Sequence, residues 1–347
     1  MKCFYNRGNT NFGDYLNSWL WERLCPELID DDASVRLIGV GTLLAHDLDL
    51  VPGEKVIFGT GAGYGPPPAP SQAAAWDIRA LRGPLTAKTI GAEESLAITD
   101  SAWLVARLPE YSTIPTRKSG VSFVPHWRTC ERASWDEVCE IAGMDFVNPL
   151  DSCEKVFRQI GSSELAIVES LHGAIMADFF RTPWIPVITN RKILRFKWLD
   201  WCASLGLEYT PYQLPPSSAV DYLIQGQSPI RKEKDIATPR AMAADEIEPE
   251  VWETSGPPTR AGIAYHGRAK IKKAAQKTRR GALFALRRSR FPLIASWDEA
   301  HASKLAQLLQ TLSKEKPHLS DDSLRDEKID RLNQAFENMR QDYARNG

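Results

Sequence analysis

Short apolar runs alternate with stretches of helical periodicity through the first 215 residues. KCFY at 2–5, VRLIGV at 35–40, KVIFGT at 55–60 and LAIT at 96–99 have the length and β-branched or aromatic content of strands. Between them, YLNSWLWERL places Leu16, Trp19, Leu20 and Leu24 on one helical face, with Asp14 set to cap it, and IRAL reads as helical. Such alternation predicts a parallel sheet with crossover helices. The polar, proline-containing STIPTRKSG at 112–120 reads as a linker. A second alternation follows: GVSFVPH, DFVNP, ELAIVES and WIPVI as strands, with SWDEVCEIAGM, SCEKVFRQIGSS and GAIMADFFR as helices. The pattern therefore predicts an α/β protein with two doubly wound units, at 1–112 and 120–215.

The signal changes beyond residue 215. Pro, Ser and Gln thicken, charge runs such as RKEKD follow, and two charged helical stretches begin at Ser296 and Ser320. Residues 216–347 thus read as a linker and a charged, mainly helical extension. Within it, 268–290 carries many Lys and Arg and no acidic residue. The whole chain of 347 residues has a net charge of −1, which gives no overall electrostatic footprint for nucleic acid. The basic segment also lacks an aromatic stacking platform for bases, with Phe284 its single aromatic residue. No apolar run is long enough to cross a bilayer and no signal-peptide core follows Met1, so a cytoplasmic location is expected. The six cysteines form no CxxC pair or zinc-spaced cluster, and read as reduced core thiols with no metal site.

Ligands of doubly wound sheets bind beyond the carboxyl ends of the strands, so the residues there are the candidates. After the first strand comes NFGD, with Asn11, Gly13 and Asp14; after KVIFGT comes GAGYG, with Gly61 and Gly63. The glycine-rich turn does not match the dinucleotide pattern, and no Walker lysine is present. RGPLT brings Arg82, HWR brings His126 and Arg128, and ITDSAW follows another apolar run. ELAIVE leads into SLHG, where Glu169, Ser170 and His172 precede the helix that Gly173 begins. Free N–H groups and the positive end of that helix make an anion site beside His172, and Gly173 permits close approach. Downstream, Arg191, Arg195 and Lys197 supply a cationic wall.

In their order and spacing NFGD, IFGTGAG, RGPLT, ITDSAWL, SLHGAIMADFFRTPWIPV and NRKILRFKWLDW resemble the polysaccharide pyruvyl transferase family over residues 1–205. The resemblance implies a glycosyltransferase-B-like fold, two Rossmann-like halves facing one cleft. It also implies transfer of pyruvate from phosphoenolpyruvate to two hydroxyls of a sugar as a ketal, without a further cofactor. Several members carry arginine where this chain has Ser170, so other cations must hold the anionic donor. The donor needs two cationic or N–H-rich subsites, and the reaction needs a general acid and a general base. Asp14 and His172 are the first candidates, with Glu169 and His126 behind them. Asn11, Gly13, Gly61, Gly63, Arg82, Arg128, Ser170, Arg191, Arg195 and Lys197 form the expected binding set.

Two other classes remain open at this level. A sugar-nucleotide glycosyltransferase of the same architecture would use an acidic residue such as Glu169 or Asp178 on the ribose. A non-catalytic assembly protein would use the core only to display the extension. The acceptor glycan, free or lipid-linked, is not named by the sequence. Residues 268–290 read either as a solvated linker or as a peripheral contact with anionic lipid at the inner membrane face.

Overall fold

A computed structural model describes residues 1–5, 11–112, 118–130, 133–189, 193–225, 239–242 and 292–345. Four strands, β1 (Lys2–Phe4), β2 (Val35–Ile38), β3 (Glu54–Thr60) and β4 (Asp77–Leu81), form one parallel sheet in the order β1-β2-β3-β4. Five more, β5 (Val121–Val124), β6 (Asp145–Phe146), β7 (Leu165–Val168), β8 (Trp184–Ile188) and β9 (Tyr212–Gln213), form a second in the order β6-β5-β7-β8-β9. Every strand pairing is parallel. The protein is therefore mixed α/β with Rossmann-like parallel sheets.

Both faces of each sheet carry buried side chains, and the central strands β7 (LAIV) and β8 (WIPVI) are continuously apolar. In the first sheet Leu37, Val56 and Phe58 face one core, while Ile38, Ile57 and Leu81 face another. In the second sheet Val124, Ala166 and Val168 join the same core as Leu37 and Phe58, while Phe123, Ile167 and Val187 face away from it. One hydrophobic core is thus shared by the two sheets. Trp103, within the 3₁₀ segment Ser101–Arg107, donates from its indole to the Ile175 carbonyl at 2.9 Å and ties the halves together.

Three sequence expectations change. DIRAL is an edge strand, β4, not a helix; Ala80 and Leu81 alternate between the two cores while Asp77 and Arg79 stay partly exposed. LAIT contributes only an isolated bridge, Ala97 with Leu81. The helix expected over YLNSWLWERL breaks into α1 (Phe12–Tyr15), a 3₁₀ turn at Leu16–Ser18 and α2 (Leu20–Leu24). Asn17 explains the break: its carboxamide donates to the Val40 carbonyl and accepts from the Val40 N–H, both at 2.9 Å. The cap is Asn11, whose side chain accepts from the Asp14 N–H, not Asp14 itself.

Helices α3 (Pro70–Ala73) and α4 (Pro84–Ile90) follow in the first half. The second half contains α5 (Trp127–Cys130), α6 (Trp135–Ala142), α7 (Cys153–Ser162), α8 (Leu171–Phe179), α9 (Arg195–Ser204) and α10 (Ala219–Ile224). The charged extension ends in α11 (Pro292–Leu312) and α12 (Asp322–Arg345), and neither is a free tail. On α11, Leu305, Leu309 and Leu312 bury against Trp135 and Val138 of α6. On α12, Leu332, Phe336 and Met339 enter the shared core, with Phe336 edge-on to Phe58 at 6.2 Å. Polar bonds fix α12 to the first sheet: Arg79 to Asp342 at 2.6 Å, Tyr343 to Asp77 at 2.9 Å, and Arg107 to Glu337. The sequence showed two charged helices; it did not show that their apolar stripes had partners.

None of the six cysteines is in a disulfide, and Cys25, Cys139, Cys153 and Cys202 are buried, as expected of core thiols. Among the described residues no helix is long and apolar enough to cross a membrane. Residues 113–117 of the linker and the whole basic segment 268–290 lie outside the described residues.

Candidate active site

Residues following β1, β2, β3, β5 and β7 converge on a cavity of about 190 Å³. The first half supplies Asn11, Asp14, Thr42, Leu43 and Tyr64; the second supplies His126, Trp127, Arg128, Pro149, Ser170, Leu171 and His172, and α9 adds Lys197. Close to the cavity the Phe12 N–H donates to the Pro149 carbonyl at 2.8 Å, which fixes NFGD against the second half.

His172 occupies the first turn of α8. Ser170 caps that turn by accepting from the Gly173 N–H at 3.3 Å, and buried Leu171 anchors it. The imidazole then lies against α1, where a Cβ on Gly13 would come within 2.0 Å of Nδ1. Only glycine leaves room for the ring there. Gly13→Ala is therefore expected to displace the imidazole and reduce turnover by about 10²-fold, since a 1 Å misplacement has that order of cost. Steady-state kinetics beside an unchanged circular dichroism spectrum would check it.

On its other side His172 reaches inward. Nε2 is buried with no hydrogen bond, 3.9 Å from Asp100 Oδ2, which is buried and unpartnered too. Asp100 caps the 3₁₀ segment Ser101–Arg107 by accepting from the Ala102 N–H on Oδ1 at 2.9 Å. Burial pushes the Asp100 carboxyl up to about 7, opposed by that N–H and by Arg82. Burial, with the positive charges of Lys197 and Arg82, pushes His172 down to about 3. Both groups are thus driven toward their neutral forms by the same desolvation.

Lys197 presents its ammonium 5.8 Å from the centroid of the Tyr64 ring, and makes no hydrogen bond or ion pair among the described residues. Arg128 is exposed over Trp127, 5.1 Å from its ring, while His126 accepts from the Arg128 N–H on Nδ1 at 3.3 Å. The Asp14 carboxylate accepts from the Asn11 side chain at 2.7 Å. The cavity thus combines two cations, the amino end of α8, a carboxylate and two imidazoles. That combination can hold an anion and move a proton beside it.

The chain is 41% identical over 227 residues to the succinoglycan biosynthesis protein ExoV of Rhizobium meliloti (strain 1021), a match that covers 65% of this chain and 72% of the relative. It belongs to the ExoV family. No protein-family model and no solved structure matches it.

Several residues expected at the site prove to hold this ExoV relative together instead. Arg82 is fully buried. It donates to Asp200 of α9 at 3.0 Å, to Thr42 at 2.7 Å and to the carbonyls of Gly41 and Ala62 at 3.3 and 2.8 Å, so its guanidinium is not available to a ligand. The rest of RGPLT serves the same contact, since Asp200 also accepts from the Thr86 N–H and hydroxyl at 2.8 and 2.6 Å. Gly61 packs on that guanidinium, where a Cβ would lie 2.3 Å from Cζ. Gly63, at φ +148°, turns the loop beside Thr42 to bring Tyr64 to the cavity, and neither glycine lines it. Gly173 makes room for Val124 of β5 rather than for a ligand.

Glu169 is likewise a bracket between strands, not an acid or base facing the cavity. It is 3% exposed and accepts from the N–H groups of His126 and Thr189, both at 3.0 Å, locking the ends of β5 and β8 to β7. Glu169→Gln would turn an amide N–H toward one of those donors. The expected cost is about 1–3 kcal/mol, read from urea unfolding, with the rate per folded molecule unchanged. Arg195 begins α9 outside the cavity lining, and Arg191 lies outside the described residues. Asp100, in contrast, was not singled out by sequence. Its signal was the DSAW following an apolar run, the same position after a strand-like segment that marked the other candidates.

Proposed function

We propose that this protein is a phosphoenolpyruvate-dependent pyruvyl transferase that forms a ketal on a sugar diol during exopolysaccharide biosynthesis. The observation that carries this reading is His172, an imidazole backed by a buried carboxyl and opening, with Lys197, onto a cavity at the amino end of α8. Membership of the ExoV family supports the biosynthetic setting, and the resemblance to polysaccharide pyruvyl transferases supports the reaction. A glycosyltransferase-B-like arrangement suits it, with the donor between the two sheets.

In this mechanism Lys197, Arg128 and the first N–H groups of α8 bind the phosphate and carboxylate of phosphoenolpyruvate. Protonation of its methylene carbon creates an oxocarbenium-like centre at the adjacent carbon. One sugar hydroxyl adds there; phosphate then leaves with its bonding pair as the second hydroxyl adds. One hydroxyl proton replaces the proton spent on the methyl group and the other leaves with phosphate. An acid that gives a proton and takes one back is sufficient, and His172 is placed for that work. Asp14 stands across the cavity as the second acid–base candidate.

The sugar-nucleotide reading has less support. Glu169 is occupied as described, and Asp178 is buried, accepting from the Trp184 indole and the Ser320 N–H, both at 3.0 Å. The test is phosphate release from phosphoenolpyruvate against a panel of free and lipid-linked glycans. Release that requires an acceptor is expected; stabilisation by nucleotide sugars with no response to phosphoenolpyruvate would overturn the proposal.

A further inference from the structure

We infer that Asp100 is a positioning residue that holds His172 as its Nε2–H tautomer, so that Nδ1 is the atom presented to substrate. The role of Nδ1 as proton donor and acceptor rests on the pyruvyl-transfer reading; the tautomer does not.

Geometry carries the assignment. Nε2 and Oδ2 are both buried, both without a hydrogen bond, and 3.9 Å apart. Buried polar atoms in native proteins are seldom left unpaired, and such a pair marks either a strained contact or one that tightens when the site is filled. Among the described residues Oδ2 accepts no hydrogen bond. Oδ1 is held by the Ala102 N–H, and the Arg82 guanidinium nearby is committed to Asp200. The backbone before Asp100 is fixed by the Ile98 N–H donating to the Leu81 carbonyl at 3.0 Å. A neutral imidazole carries one N–H. Above about pH 7, where the Asp100 carboxyl is ionised, a hydrogen on Nδ1 would leave the lone pair of Nε2 facing a carboxylate oxygen in a dry space; with it on Nε2, the two atoms attract. Nδ1 lies on the Gly13 side of a ring that lines the cavity, away from the buried Nε2.

The reaction uses both nitrogens. When Nδ1 also holds a proton, Asp100 as carboxylate balances the imidazolium. Nδ1 gives that proton to the methylene carbon of phosphoenolpyruvate, forming the methyl group. It recovers one from the first hydroxyl as that oxygen bonds to the adjacent carbon, while the second hydroxyl's proton departs with phosphate.

The experiment is nitrogen NMR at about pH 8, where Asp100 is ionised, on the full chain labelled with ¹⁵N-histidine, for wild type and Asp100→Asn. In the variant the amide oxygen must still serve the Ala102 N–H, so the amide NH₂ faces Nε2. Nε2 then has to accept, and the proton moves to Nδ1. The expected result is Nε2–H in wild type, Nδ1–H in the variant, and turnover lowered by about 10²–10⁴-fold with phosphoenolpyruvate affinity retained. An Nδ1–H wild type overturns the inference without any variant, as does an Asp100→Asn protein with the wild-type tautomer or the wild-type rate. If wild type releases no phosphate from phosphoenolpyruvate, the functional reading fails while the tautomer result still stands or falls by itself.

Discussion

Asp200→Ala is expected to lower the unfolding free energy by about 3–5 kcal/mol, the usual cost of leaving one member of a buried ion pair alone. Arg82 and Asp200 are both completely buried, and the carboxylate holds the guanidinium together with the Thr86 N–H and hydroxyl. Removing it strands a positive charge and two donors away from water. The loss should reach beyond α9, because Arg82 also pins Thr42 and the Gly41 and Ala62 carbonyls beside the cavity. Urea unfolding measures the effect. A loss below about 1 kcal/mol, within the range of an exposed pair, would show that water reaches the guanidinium and that the pair does not bind the halves.

His172→Ala is expected to reduce turnover by about 10²–10⁴-fold while the protein stays folded, and to expose a titration hidden in wild type. Asp100 binds a proton up to about 7 in the folded protein but only to 3.8 when unfolded. It therefore contributes stability that is full below 3.8 and is lost as pH rises through 7. His172 does the opposite: it titrates at about 3 folded and 6.5 unfolded, so stability is lost as pH falls from 6.5 toward 3. Between about 4 and 6.5 the two slopes oppose each other and nearly cancel. In His172→Ala only the Asp100 slope survives, and stability should fall with rising pH by up to about 1.4 kcal/mol per unit. In Asp100→Asn the sign reverses. Urea unfolding at pH 4.5, 5.5 and 6.5 compares them; slopes of the same sign in both variants would show that burial does not shift the two groups in opposite directions.

Most strands were legible from their short apolar stretches, unbroken in β7 and β8 where both faces are buried, and the position of His172 followed from one rule about strand ends. What escaped the sequence depends on partners distant along the chain. Arg82 has the charge of an anion ligand, and only its burial against Asp200 shows that this charge is consumed. Glu169 shows the same limit, since its acceptors are filled by N–H groups of two other strands. Asp100 escaped for the converse reason: its one free oxygen acquires meaning only where His172, from the other half, comes to face it. IRAL misled because a four-residue run cannot fix a period, and its neighbours on the sheet edge are polar.

The return of α12 to the first sheet sets an order on synthesis. The shared core that Leu37, Val56 and Phe58 help to form is closed by Phe336 and Met339, which leave the ribosome long after Ser112. At roughly 5–20 residues per second, the early strands wait on the order of ten seconds or more for that cover. Throughout that interval an apolar surface, including the face that Phe336 meets on Phe58, is open to water and to other nascent chains. The first half therefore completes this face of its core only once α12 has been made.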